Sequence, residues 1–228
     1  MGMPGFYVSP EQLVQDKADF ARKGIARGRA LVGMRYVEGI VFVAENTSAT
    51  LRKVSEIYDR IAFGGVGRYN EFDQLRIAGV RHADQKGFVY SREDVDARSL
   101  ANQYAQIMGQ VFTHEHKPLE VEILLAEIGD EPDDDQLFHL MFDGTVMDET
   151  NIAAIGGDSS AILERLQAGW SEGMALQDAV KLAASALAGP DRTLGAAELE
   201  VATLDRGNGR RAFHRLDDDA VEVMLSAN

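Results

Sequence analysis

The run VSPEQLVQDKADFARKGIARGRALVG, residues 8–33, opens with a helical pattern and ends in a strand pattern. Ser9 is an N-cap residue and Pro10 stands at the first helical position, where a missing N–H costs nothing. Gln12, three residues after Ser9, completes a capping box. Leu13, Val14, Ala18, Phe20, Ala21 and Ile25 share one broad face, while Glu11, Gln15, Asp16, Asp19, Arg22 and Lys23 share the other. The spacing predicts a helix over about 9–24, with exits at Gly24 and Gly28. The period then changes. RALVGMRY and GIVFVAE, joined by VEG, read as a hairpin. TSATLRK is a loop, and VSEIYD and IAFGGVG read as two strands about Asp59-Arg60.

From RYNEFDQLRIAGVRHADQ onward the period is helical again, with Phe72, Leu75, Ile77 and Val80 apolar. A second long helix is expected over about 92–116, with Val95, Leu100, Tyr104, Ile107, Met108 and Val111 inward and Pro118 beyond its end. LEVEILLAEI and QLFHLMFD are strands flanking the loop GDEPDDD. Asp143-Gly144 is a hairpin signal, and TVMDETNIAAIG continues the meander. Helices follow at about 160–168 and 174–187, then a hairpin of AELEVATLD and RRAFHRL across RGNG. A last short helix reads DDDAVEVML. Strand runs alternate with helix pairs rather than single helices. That order excludes a doubly wound parallel sheet and predicts an α+β fold, two antiparallel sheets packed together with helix pairs outside. No linker or repeat interrupts the chain, so residues 9–228 are expected to form one domain, preceded by a short leader.

Composition narrows the function. Of 228 residues 45 % are apolar, enough for a sizeable core, and the formal net charge is −14. That excess of acid argues against nucleic acid, whose binding needs a basic face to release counterions, and against anionic membranes. There is no cysteine, hence no disulfide, thiol nucleophile or thiolate metal site; this fits a reducing cytoplasm. No apolar run reaches the length of a membrane span. The leader, Met1, Gly2, Met3, Pro4, Gly5, Phe6, Tyr7 and Val8, lacks a basic region followed by an apolar stretch, so no secretory signal is expected.

The candidate chemistry is sparse. His114-Glu115-His116 invites a metal, but zinc sites on helices space histidines by four and these are spaced by two, so the rings diverge. Asp133-Asp134-Asp135 lacks the alternation and glycine of a calcium loop. FGGVGRYNE and AIGGDSSAI place glycines before helices without the dinucleotide spacing, and read as tight connections; Asp158 or Ser159 caps the helix after the second. No metal site and no cofactor is expected. Arg22, Lys23, Arg27, Arg29 and Arg35 concentrate positive charge around the first helix and strand, with Lys53 alone at the end of a loop. They read either as salt-bridge partners for nearby acids or as a basic pocket for a carboxylate.

The layered order, together with YVSPEQLVQDKADFARKGIARGR, SATLRKVSEIYDRIAFGGVGRYNEF and LANQYAQIMGQVFTHEHKPLEVEILLAE, resembles the α-type subunits of the proteasome core particle, nearest the actinobacterial kind. The resemblance runs from about Tyr7 to Leu225. It implies a four-layer αββα sandwich of the N-terminal-nucleophile hydrolase fold with an added N-terminal helix, which separates α from β subunits. It implies a ring of seven identical α-subunits stacked on β-subunits, with Met1 to Val8 forming a gate at the axial pore. Archaeal relatives carry Tyr-Asp-Arg in that leader, and this chain does not. Leu13 and Phe20 on the first helix are expected at ring contacts.

The same resemblance implies no catalysis by this chain. β-subunits begin the first strand with a catalytic threonine; aligned with RALVGM, that position is Arg29. Glu45 and Lys53 match the acidic and lysine partners of that threonine. An acid and a lysine without a nucleophile cannot carry acyl transfer. In α-subunits the matching lysine sits in a pocket between neighbours and receives the C-terminal carboxylate of an ATPase ring protein. By that carry-over Lys53 is the main charge, Gly28 and Gly67 line the pocket through their backbones, and Arg22 and Asp19 are polar positions around it. The implied function is a non-catalytic subunit that scaffolds assembly, gates the entry of unfolded protein and docks the ATPase. The alternatives are a hydrolase of the same fold made active by processing, and a small-molecule binding module resting on the glycine turns.

Overall fold

The computed structural model describes residues 9–226. Met1 to Val8, and the gate expected of them, lie outside the described residues. Helix α1, Pro10–Ala26, starts as its sequence dictates: the Ser9 hydroxyl accepts from the Gln12 amide at 3.2 Å. The capping box expected from Gln12 is half made: its side-chain amide turns forward to Asp16 at 2.7 Å instead of back to Ser9. The helix runs two residues beyond the expected end. Gly24 is not an exit; a Cβ there would fall 2.1 Å from Glu120 Oε1, so it admits a close neighbour. The exit is at Arg27 and Gly28, whose amide donates to the Ile25 carbonyl at 3.0 Å.

Among the described residues ten strands follow in two antiparallel sheets. β1 (Leu31–Tyr36), β2 (Gly39–Glu45), β8 (Ile152–Ile155), β9 (Leu199–Asp205) and β10 (Phe213–Arg215) form one, in the order β10-β9-β2-β1-β8. β3 (Val54–Tyr58), β4 (Ile61–Gly67), β5 (Val121–Glu127), β6 (Gln136–Leu140) and β7 (Val146–Glu149) form the other, in chain order. The expected continuation of the meander through TVMDETNIAAIG is corrected here. β7 closes the second sheet, and β8 crosses to pair with β1 in the first. Gly144, at φ +88°, makes the β6–β7 turn with its amide on the Met141 carbonyl.

The central strands are buried on both faces because each sheet lies between two layers. Along β2, Ile40, Phe42 and Ala44 face the space between the sheets, and Val41 and Val43 face outward. The outward side of the first sheet is covered by α4 (Ser159–Gly169), α5 (Leu176–Ala188) and α6 (Asp218–Ser226). That of the second is covered by α2 (Tyr69–Val89) and α3 (Ala97–His114). The result is the four-layer αββα sandwich. The helix expected to begin near residue 92 begins at Ala97 instead. Residues 92–94 make a separate 3-10 turn, and Asp96 caps α3 by accepting from the Ser99 amide at 2.7 Å. Asp158 caps α4.

α1 lies across one end of the sandwich. Its buried residues, Ala18, Ala21 and Ile25, join the core between the sheets. Lys17 fastens it to the end of α3, donating to the Phe112 and Glu115 carbonyls at 3.0 and 2.7 Å; a cation at a helix C-terminus is favoured by the helix dipole. The rest of the apolar face is uncovered: Leu13, Val14 and Phe20 are 51, 54 and 48 % exposed. Among the described residues no helix is long and apolar enough to cross a membrane.

Candidate functional site

Arg29, Glu45 and Lys53 meet where α1 hands over to β1. The Lys53 ammonium donates to the Arg29 carbonyl at 2.6 Å. Arg29 Nε stands 3.7 Å from Glu45 Oε1, and its Nη1 donates to Thr47 Oγ1 at 3.1 Å. Glu45 is buried at the end of β2 and is held by Arg192, whose two Nη atoms donate to its two oxygens at 2.9 and 3.2 Å. That guanidinium, against the effect of burial and with smaller help from Arg29 and Lys53, keeps the Glu45 carboxyl below the usual carboxylate range. A second buried acid, Glu200 of β9, accepts from the Lys53 amide at 2.8 Å and pairs with Arg215. Burial of an unpaired carboxylate costs several kcal/mol; here each acid is matched by an arginine.

The lysine is left over. Among the described residues no carboxylate lies within 4.0 Å of the Lys53 ammonium, which has one hydrogen bond, to a neutral carbonyl. Burial pushes its pKa down to about 8, against the pull of Glu200 and Glu45 and with the push of Arg29. It is therefore a partly desolvated cation with two open donors, suited to an incoming anion. Arg29 and Glu45 also border a cavity of about 540 Å³, lined by Gly28, Gly157, Arg165 and Arg192 among others, to which Lys53 does not contribute.

Gly28 and Gly67 also come together. A Cβ on Gly28 would lie 3.8 Å from the Gly67 amide nitrogen. Gly67 has φ +98°, and a Cβ there would meet the Glu120 carbonyl at 1.9 Å, so only glycine fits. Arg22 and Asp19 do not reach Lys53. They pair with each other at 3.4 Å on the outer surface of α1, with Arg22 over the Phe142 ring. The expected basic cluster is also dispersed: Arg35 is drawn to the Asp135 carbonyl, away from Arg29. His114 and His116 lie at the exposed end of α3, where His114 Nδ1 faces the Gln110 carbonyl.

Glu200, Arg215 and Arg192 were not legible as site residues. The one signal was a lone acid within the otherwise apolar strand LEVATL, the type of residue that is buried only when paired.

A family model described as "Proteasome subunit" matches residues 25–203. The chain belongs to the proteasome subunit family. The match begins at the end of α1, so it spans most of the sandwich and leaves the helix in front of it. Among similar curated proteins is "Proteasome subunit alpha" of Acidimicrobium ferrooxidans, 59 % identical, covering 99 % of this chain and 97 % of that one. The protein of the same name from Xylanimonas cellulosilytica is 55 % identical, covering 97 % and 95 %. That of Thermobifida fusca is 52 % identical, covering 99 % and 91 %.

Proposed function

We propose that this chain is a non-catalytic α-ring subunit of a cytoplasmic proteasome core particle, folded as a single domain over residues 9–228. It scaffolds β-subunits, gates the entry of unfolded protein and docks an ATPase ring through Lys53. The observation that carries this reading is the state of the Lys53 ammonium: desolvated, unpaired by any acid and held beside Arg29. In a β-subunit the position of Arg29 would hold the threonine nucleophile. Here it is an arginine within a continuous chain, and α1 covers the end of the sandwich where a substrate would enter.

Two exposed apolar patches support the ring reading. The stripe of Leu13, Val14 and Phe20 on α1 borders a groove of about 700 Å³ shared with Phe112 and Pro118, and suits a neighbouring copy. Phe88, Val89 and Tyr90, 91, 59 and 74 % exposed, close the far end of α2. That 21-residue helix starts beside Gly67, so this patch stands about 30 Å from its start. With α1 at the outer face, it would turn towards the β-ring.

The test is reconstitution with β-subunits. The chain alone is expected to hydrolyse no fluorogenic peptide. The particle should cleave short peptides, and should degrade an unstructured protein only with the ATPase ring or after removal of residues 2–8. Turnover by the isolated chain that a threonine-directed inhibitor stops would favour the active-hydrolase alternative. Basal degradation unchanged by the deletion would remove the gate from the reading.

A further inference from the structure

Glu200 ties down the loop that presents Lys53. It is 2 % exposed, and its backbone pairs with Ala44 of β2 within the first sheet. Its side chain reaches across to the start of the second. Oε2 accepts from the Lys53 amide and from Asn46 Nδ2, each at 2.8 Å. Oε1 accepts from the Val54 amide at 3.2 Å and from Arg215 Nη1. Arg215 Nη2 returns to the Val54 carbonyl at 2.6 Å, and Asn46 Nδ2 also holds the Leu51 carbonyl at 2.8 Å. The carboxylate thus fixes two successive peptide N–H groups through charge-assisted bonds, roughly twice as strong as neutral ones. It also stands near the Lys53 ammonium without pairing to it.

We propose that Glu200 is the positioning residue for Lys53. Buried at the seam between the sheets, it fixes the backbone from which the ammonium projects and supplies a nearby negative charge without occupying any of its donors. The inference rests on the reading of Lys53 as the receptor of a C-terminal carboxylate. A residue that only stabilised the fold would leave the charge state of Lys53 alone. Glu200 does not, because it is one of few charges facing that ammonium. The others are Glu45 at the end of β2 and Arg29 before β1; Arg192 and Arg215 stand behind the two acids. Removing the Glu200 charge leaves burial and Arg29 opposed by Glu45 alone, so the proton is given up at lower pH.

The experiment uses particles assembled with β-subunits and carrying Glu200→Gln, Glu200→Gln with Arg215→Gln, or Lys53→Ala. The double variant removes both halves of the buried pair and strands neither charge. The first readout is the pH dependence of Lys53 acetylation by an N-hydroxysuccinimide ester, followed by peptide mass spectrometry. Its midpoint should fall in both Glu200 variants, with about fivefold faster acetylation near pH 7 for a fall of one unit from about 8. The second is binding of the C-terminal octapeptide of the ATPase ring protein, as free acid and as amide. The free acid should lose at least about tenfold in affinity, equivalent to about 1.4 kcal/mol, and the amide should change little. If neither variant assembles, Asn46→Ala removes one donor to Glu200 while keeping the buried pair; it should slow neither assembly nor peptide hydrolysis, yet weaken free-acid binding. Assembled Glu200 variants, or Asn46→Ala in their place, with wild-type acetylation and wild-type binding would overturn the proposal. A shifted acetylation midpoint with normal peptide binding by Lys53→Ala would uphold Glu200 as the positioning residue and sink the carboxylate reading instead.

Discussion

Two lysines flank the same end of the sandwich and meet opposite fates. Lys117, just before β5, lies 2.7 Å from Glu71 Oε1 and 3.1 Å from Glu120 Oε2. Burial opposes its charge, but hydrogen bonds to those two carboxylates raise its pKa above the ordinary value. Lys53, just before β3, is more desolvated, has no carboxylate within 4.0 Å among the described residues and is pushed down to about 8 by burial. Around Lys117 the acids remain for the lysine to pair with, Arg68 sharing Glu120. Around Lys53 each acid is already taken by an arginine. A cation out of reach of its neighbouring acids is poised for a ligand; one that reaches two of them, even a shared one, is part of the fold.

The sharpest break of this comparison is to truncate each lysine in assembled particles. Lys53→Ala should lower affinity for the ATPase ring about tenfold to a hundredfold per site, since a hydrogen bond to a charged group is worth about 1.5–3 kcal/mol. Avidity across the ring should amplify the loss, while hydrolysis of short peptides persists. Lys117→Ala should leave docking unchanged. Equal docking by the two variants, measured by ATPase-stimulated degradation, would erase the distinction.

Phe20 sharpens the Lys117 side, because its ring lies 5.9 Å from that ammonium and belongs to the uncovered stripe. Phe20→Asp should reduce ring assembly, read by sedimentation of co-expressed particles, and Leu13→Asp should act in the same direction. Sedimentation like that of the parent would count against the stripe as a ring contact.

The next effect is a pH dependence with a definite sign. The Lys53 ammonium attracts a carboxylate below about pH 8 and is a neutral amine above it. Docking measured by peptide binding should therefore weaken as pH rises through 8. The same group affects stability in the opposite sense. Its folded pKa lies below the ordinary 10.5, so the unfolded chain binds more protons between pH 8 and 10.5. The cost of burying this ammonium is full below 8 and is relieved as pH rises through that window. A docking affinity flat from pH 7 to 9 would place the ligand elsewhere.

Smaller effects remain. Lys53→Arg should restore docking only in part, because a planar fork does not replace a compact ammonium. The smallest is the stability change in Lys117→Ala. That side chain is 45 % exposed, so its ion pairs are screened and the loss in urea unfolding should be about 1 kcal/mol or less.

Much of the fold was legible because it is written in local periods. Ser9 and Pro10 start α1, period-two runs mark the strands, and helix pairs between strand runs imply the layers. The resemblance to proteasome subunits aligned Arg29 with the threonine of β-subunits, and an arginine has no hydroxyl to offer there. What tertiary structure decided was which distant charges meet. Strand residues 152–155 left their neighbours for the other sheet because β1 had an open edge there. Arg22 and Asp19, which the resemblance implies around Lys53, pair with each other on α1. Glu200 reaches Lys53, and Arg192 reaches Glu45, each across a separation of 147 residues. Periodicity fixes which face a side chain takes, but the choice of ion partner depends on how two sheets stack. Only that stacking leaves Lys53 without an acid of its own.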